Sequence, residues 1–277
     1  MVVSTPSSPI GIFDSGIGGL TVVREVIRQL PDERIIYFGD TARVPYGPKS
    51  PDTVRRYSLE IGQFLRSQDV KAIVVACNTA TAHALPMLQR EFTLPVIGVV
   101  EPGARAAVAA SRRGELGVIG TAGTIGSGAY ERAIRDIAPN AHIMARACPL
   151  FVPLVEEGWL DTEPTRLIAR EYLAPMKAAA VDTLVLGCTH YPLLKPLLAE
   201  LLGPDVALID SAQETAAETA RVLRARDLLA PTNGHGWRRD AKVDYRFVAS
   251  DAPDHFLRLG QRFLGSAIEC VETVTLG

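Results

Sequence analysis

Short β-branched runs alternate with longer helical patterns along almost the whole chain, and this alternation constrains the fold more than any other feature. Strands are expected at Ile10–Phe13, Arg34–Phe38, Ala72–Ala76, Val96–Val99, Leu116–Ile119, His142–Ala145, Thr183–Leu186, Val206–Ile209 and Tyr245–Val248. Helices are expected between them at Gly18–Leu30, Pro51–Ser67, Thr79–Glu91, Thr124–Ala138, Thr162–Ala179 and Ala212–Leu228. Runs such as Ala-Ile-Val-Val-Ala and Thr-Leu-Val-Leu are apolar on both faces, which suits a parallel sheet covered by helices. The fold class is therefore α/β, doubly wound, with its functional groups beyond the carboxyl ends of the strands. Pro175 falls inside a helical pattern and is expected to kink or divide it. Pro231 to Asp244 reads as a surface loop.

Charge and cysteine content narrow the function classes. The 277 residues carry 29 Lys+Arg and 31 Asp+Glu, a net charge of −2, so no basic surface for nucleic acid is expected. No apolar stretch approaches the roughly 18–20 residues needed to span a bilayer. Met1 to Pro9 lacks the cationic head and apolar run of a secretory signal and reads as a short disordered tail. The four cysteines, Cys77, Cys148, Cys188 and Cys270, are too few for a disulfide scaffold and too scattered for a zinc site. Reduced thiols in a cytoplasmic protein are expected, with no metal.

Two segments repeat each other. Ile73-Val-Val-Ala-Cys77-Asn78-Thr79 and Leu184-Val-Leu-Gly-Cys188-Thr189-His190 are each an apolar strand, a small residue, a cysteine and a polar pair, with the cysteines 111 residues apart. Ile10-Gly-Ile-Phe-Asp14-Ser15-Gly16 and Leu116-Gly-Val-Ile-Gly120-Thr121-Ala122 match at an offset of 106. Two similar doubly wound units related by a pseudo-two-fold follow, with a site between them. A side chain just past a strand points into the crevice, where the N-terminus of a following helix favours the thiolate. Two equivalent thiols on opposite sides of one ligand suit racemisation at carbon. One removes a proton from one face, the other returns a proton to the opposite face, and the roles swap in reverse. A thiol whose reference pKa near 8.5 is tuned downward can serve in both states. Cys148 and Cys270 lack this setting and read as packing residues.

The motifs Asp14-Ser15-Gly16-Ile17-Gly18-Gly19-Leu20, Gly39-Asp40-Thr41 with Pro45-Tyr46-Gly47, Cys77-Asn78-Thr79-Ala80-Thr81 and Gly187-Cys188-Thr189-His190-Tyr191-Pro192-Leu193 strongly resemble glutamate racemase. The resemblance runs in order from about Ile10 to Leu264. It implies cofactor-independent interconversion of L- and D-glutamate for peptidoglycan synthesis, with Cys77 and Cys188 as the proton-transfer groups and Cys188 facing L-glutamate. It implies that Asp14, His190 and Glu156 assist, and that Asp14, Ser15, Tyr46, Gly47, Asn78, Thr79, Thr189 and His190 contact substrate. It also implies one unit built from residues 1–101 plus 211–277 and a second from 102–210. A homodimer is the default assembly.

The residues themselves leave alternatives. Asp14 also suits an N-cap of the helix at Gly18, and Ser15, Asn78, Thr79 and Thr189 suit caps. Tyr46-Gly47 between two prolines suits a plain turn, and His190 a core histidine. Either Glu156 or its neighbour Glu157 fits a solvated helix end. His83, His142, His235 and His255 show no partner pattern and read as surface or structural. A pyridoxal-phosphate racemase needs a Schiff-base lysine, and Lys49, Lys71, Lys177, Lys195 and Lys242 all lie away from such corners. An amino-acid-binding module gives two matched cysteines no purpose beyond packing. In a Rossmann dehydrogenase an acidic residue ahead of Gly16-Ile17-Gly18-Gly19 would repel a pyrophosphate.

Overall fold

A computed structural model describes residues 5–231 and 244–276. In chain order the strands are β1 (Ile10–Asp14), β2 (Ile35–Gly39), β3 (Ala72–Val75), β4 (Val96–Gly98), β5 (Glu115–Gly120), β6 (His142–Ala147), β7 (Thr183–Gly187), β8 (Ala207–Asp210), β9 (Tyr245–Ala249) and β10 (Glu272–Thr273). The helices are α1 (Leu20–Gln29), α2 (Pro51–Ser67), α3 (Asn78–Glu91), α4 (Val100–Ala110), α5 (Ala122–Gly126), α6 (Ala129–Ile137), α7 (Phe151–Glu156), α8 (Glu163–Ala178), α9 (Lys195–Leu202), α10 (Ser211–Ala225) and α11 (Pro253–Leu264). Among the described residues, no helix is long and apolar enough to cross a membrane.

The strands form two sheets, ordered β10-β9-β2-β1-β3-β4 and β6-β5-β7-β8. All strand pairs are parallel. The run β2-β1-β3-β4 of the first sheet repeats as β6-β5-β7-β8 in the second, which is the duplication expected from the two cysteine segments. Each central strand divides its side chains between two cores, because successive residues point to opposite faces. Ile10 and Ile12 of β1 pack with α1, α10 and α11, whereas Phe13 packs with α2 and α3 on the other side. In β7, Leu184 and Leu186 join the core with Leu173 and Met176 of α8, while Val185 joins Ala104 of α4 and Ile134 of α6. Double coverage explains why these strands read as continuous apolar runs.

Several expectations change. The helix expected over Thr124–Ala138 is two helices, because Gly128 at φ 64° leaves the helical region and restarts the chain. Helix α8 runs unbroken through Pro175, which falls in its last turn where little helix remains to disrupt. The segment Thr5–Pro9 is not a disordered tail: Lys71 Nζ donates to the Pro6 carbonyl at 2.6 Å and the Lys71 N–H to that of Pro9 at 2.9 Å. Residues 1–4 and most of the loop expected at Pro231 to Asp244, with His235 and Lys242, lie outside the described residues. Cys270, expected to pack, is exposed, whereas Cys148 is fully buried.

Candidate active site

The carboxyl ends of β1, β3, β5 and β7 carry the loops that meet between the sheets. Asp14 ends β1, Cys77 lies two residues beyond β3, Thr121 follows β5 and Cys188 follows β7. Each is held there by the parallel register, which pairs Phe13 with Val75 and Gly120 with Gly187. The resulting cleft is closed down: Cys77 and Cys188 are only 6% and 5% exposed.

The glycine-rich loop after β1 sets how closely the two halves approach. A Cβ on Gly18 would lie 2.3 Å from Thr189 Oγ1 and 2.5 Å from His190 Nδ1, so only glycine allows this contact. Across the same seam the Thr189 hydroxyl donates to Asp14 Oδ1 at 3.4 Å, and the Thr21 hydroxyl to the Thr189 carbonyl at 3.3 Å. Asp14 does not cap α1, whose cap Gly19 has no side-chain bond. Its Oδ2 instead accepts from the Gly16 N–H at 3.0 Å. Full burial raises the Asp14 carboxyl above its ordinary range, with the charge of His190 and the Gly16, Gly19 and Thr189 donors pulling it back.

Cys77 is the N-cap of α3, and its Sγ accepts from the Ala80 N–H at 3.4 Å. Ser15 lies beside it, with Sγ and Oγ 3.7 Å apart. The helix end does not lower this thiol as expected. Burial, followed by the negative charge of Asp14, pushes it up to about 12 and outweighs Ala80 and Ser15. Cys188 has a different setting. The chain beyond it enters a 3-10 turn at Tyr191–Leu194 rather than an α-helix. His190 Nδ1 lies 3.9 Å from Cys188 Sγ, and its Nε2 lies 3.0 Å from Glu156 Oε1. Burial pulls the imidazolium down, but hydrogen bonds to Cys188 and Glu156, reinforced by their charges, raise it to about 10. Of the two adjacent glutamates, Glu156 reaches His190 while Glu157 is exposed.

The remaining expected residues cluster on the opposite seam. The Thr79 hydroxyl contacts those of Thr121 at 2.9 Å and Thr124 at 3.2 Å, and the Gly123 N–H donates to the Gly47 carbonyl at 2.8 Å. Asn78 is buried, and its Oδ1 accepts from Tyr130 Oη at 2.7 Å. The Tyr46 hydroxyl is spent on Asp40, so the backbone of Tyr46-Gly47 rather than the phenol borders the seam. His83 Nε2 donates to the Gly123 carbonyl at 3.1 Å, whereas His142 and His255 are exposed and paired with Glu115 and Arg258. Thr124, Tyr130 and Asp40, which hold these residues in place, are not among the site residues expected from the sequence. Thr121 carried one signal, since the repeat places it opposite Ser15.

Residues 10–219 match the family described as Asp/Glu/Hydantoin racemase. A glutamate racemase of Geobacter metallireducens is 56% identical over 271 residues, 98% of each chain. The chain belongs to the glutamate racemase family. Among solved members of the family, a glutamate racemase isoform of Bacillus anthracis superposes with a TM-score of 0.89 at 40% identity, covering 98% of this chain and 97% of the other. The Francisella tularensis glutamate racemase, solved in complex with D-glutamate, also reaches 0.89, at 39% identity over 98% of each chain.

Proposed function

We propose that this chain interconverts L- and D-glutamate by a two-base mechanism without a cofactor, with Cys77 and Cys188 as the proton-transfer groups. The observation that carries the reading is the pair of buried thiols at equivalent strand ends of two repeated sheets, close enough for the charge of Cys188 to act on Cys77. One thiolate removes the α-proton while the other, protonated, delivers a proton to the opposite face. The pair then holds one proton between them.

The two sides differ in how they handle that proton. The Glu156–His190 pair offers an imidazolium to a Cys188 thiolate, stabilising the base that by resemblance faces L-glutamate. Cys77, raised by burial and by Asp14, is the matching acid. In the reverse direction the substrate ammonium near Asp14 supplies the positive charge that favours a Cys77 thiolate. Ser15, Asn78, Thr79, Thr189 and the backbone of Tyr46-Gly47 hold the substrate's polar ends. Burial of the site strengthens each of these contacts.

The units of this reading are residues 1–101 plus 211–277 and residues 102–210. Its setting is a cytoplasmic homodimer supplying D-glutamate for peptidoglycan. The test is to follow the optical rotation of L- and D-glutamate with purified protein and no added cofactor, with α-proton exchange in heavy water. Racemisation of glutamate, and not of aspartate, is expected. Glutamate that keeps both its configuration and its α-proton would contradict the reading.

A further inference from the structure

The Asn78 side chain beside Cys77 carries an unexplained donor. It is 2% exposed, its Oδ1 is taken by Tyr130, and its Nδ2 is buried with no partner among the described residues. A buried N–H without an acceptor is costly, so a group that is retained in this state points to a ligand that supplies the acceptor. An amide can turn over and exchange its oxygen and nitrogen, and its neighbours decide which end faces the cleft.

Two residues outside the expected site make that decision. Tyr130, on α6, is buried, and burial pushes its hydroxyl far above the ordinary range, so it holds one proton to give. Ser211, at the start of α10, lies beside the Tyr130 hydroxyl, where its side chain offsets part of that rise. Both pack over Gly103, where a Cβ would lie 3.3 Å from Tyr130 Oη and 3.4 Å from Ser211 Cβ. The Tyr130 hydroxyl donates to Asn78 Oδ1 at 2.7 Å, which leaves Nδ2 as the end of the amide with no acceptor among the described residues.

We propose that Tyr130 and Ser211 are positioning residues that fix the Asn78 amide with its NH2 toward the substrate, where it receives a carboxylate. The inference rests on the racemase reading above and adds the residues that set the polarity of its carboxylate site. A hydroxyl chain from α10 through α6 to α3 then makes this face a donor only. Reversing the amide would set an oxygen against the carboxylate.

The test is Tyr130→Phe, which keeps the ring and removes the donor. The KM for both L- and D-glutamate should rise about tenfold or more, the scale of a lost charge-assisted hydrogen bond. The kcat should stay within about threefold, since neither thiol is touched. In an Asn78→Ala background the same substitution should raise KM no further, because tyrosine acts through asparagine. Ser211→Ala should give a smaller rise in the same direction and keeps a folded comparison if Tyr130→Phe does not express. An unchanged KM in both variants, a loss in kcat alone, or a rise that persists without Asn78 would overturn the proposal while leaving wild-type racemisation intact. An inactive wild type would instead overturn the functional reading.

Discussion

Adding one methyl group at Gly18 tests whether the halves are positioned as tightly as the seam implies. The added Cβ of Gly18→Ala would lie 2.3 Å from Thr189 Oγ1, 2.5 Å from His190 Nδ1 and 2.6 Å from His190 Cε1. Ordinary contact begins near 3.4 Å, so the nearest of these atoms must retreat by about 1.1 Å. Thr189 and His190 are 6% and 4% exposed, so neither can swing into solvent. The retreat moves His190 relative to Cys188 Sγ, now 3.9 Å away, and relative to Glu156. Overpacking of this kind costs about 1–3 kcal/mol of stability, several degrees of melting temperature. A displacement near 1 Å in a catalytic group costs about 10²-fold in turnover. Loss of activity should therefore far exceed loss of folding. Steady-state kinetics and thermal melting measure the two, and iodoacetamide labelling with peptide mapping locates the effect. Alkylation of Cys188 should slow more than that of Cys77. A kcat within twofold of the parent, or slower alkylation confined to Cys77, would refute the argument.

Other perturbations follow from the same geometry. His190 is raised, so its contribution to stability is fully present below its unfolded value near 6.5. That contribution is lost as pH rises toward about 10, and turnover of the enantiomer facing Cys188 should fall over the same limit. Removing the Glu156 charge in Glu156→Gln should bring that fall to lower pH, with roughly tenfold lower kcat at pH 9 in a pH–rate profile. Asp14→Asn should cost about 10²-fold in kcat while melting stays level or rises, because a buried carboxylate is removed and the Gly16 N–H keeps its acceptor. Unchanged turnover would return Asp14 to a loop-stabilising role. Cys148→Ala should lower stability by about 1 kcal/mol and Cys270→Ala by nothing measurable, both with activity within about threefold, in a comparison of melting and initial rates.

The central strands and both cysteine corners were legible in the sequence because double burial leaves an unbroken apolar run and each corner a cysteine with a polar pair. The 111-residue offset between Cys77 and Cys188 becomes the matched orders β2-β1-β3-β4 and β6-β5-β7-β8. Less of the chemistry could be read. The helix N-terminus at Cys77 is visible in the sequence and favours a lowered thiol, but desolvation, which depends on what covers the thiol, prevails. Helix α4 was hidden by Pro102 and Gly103, poor helix formers that are buried in the packed helix. Tyr130 could not be linked to Asn78, because 52 residues separate them and only the folded chain brings the two side chains within hydrogen-bond distance. Glu156 and Glu157 were equivalent as letters, and the turn of α7 distinguishes them.

The two-base claim is tested most directly by separating the half-reactions. A glutamate analogue with a leaving group on its β-carbon needs only removal of its α-proton, after which elimination proceeds without an acid on the other face. Cys77→Ser and Cys188→Ser should each nearly abolish racemisation yet still eliminate from the enantiomer whose proton points at the remaining thiol. The two variants should therefore prefer opposite enantiomers, Cys77→Ser the L-like analogue and Cys188→Ser the D-like one. If both prefer the same enantiomer, one base serves both directions and the two-thiol account is wrong.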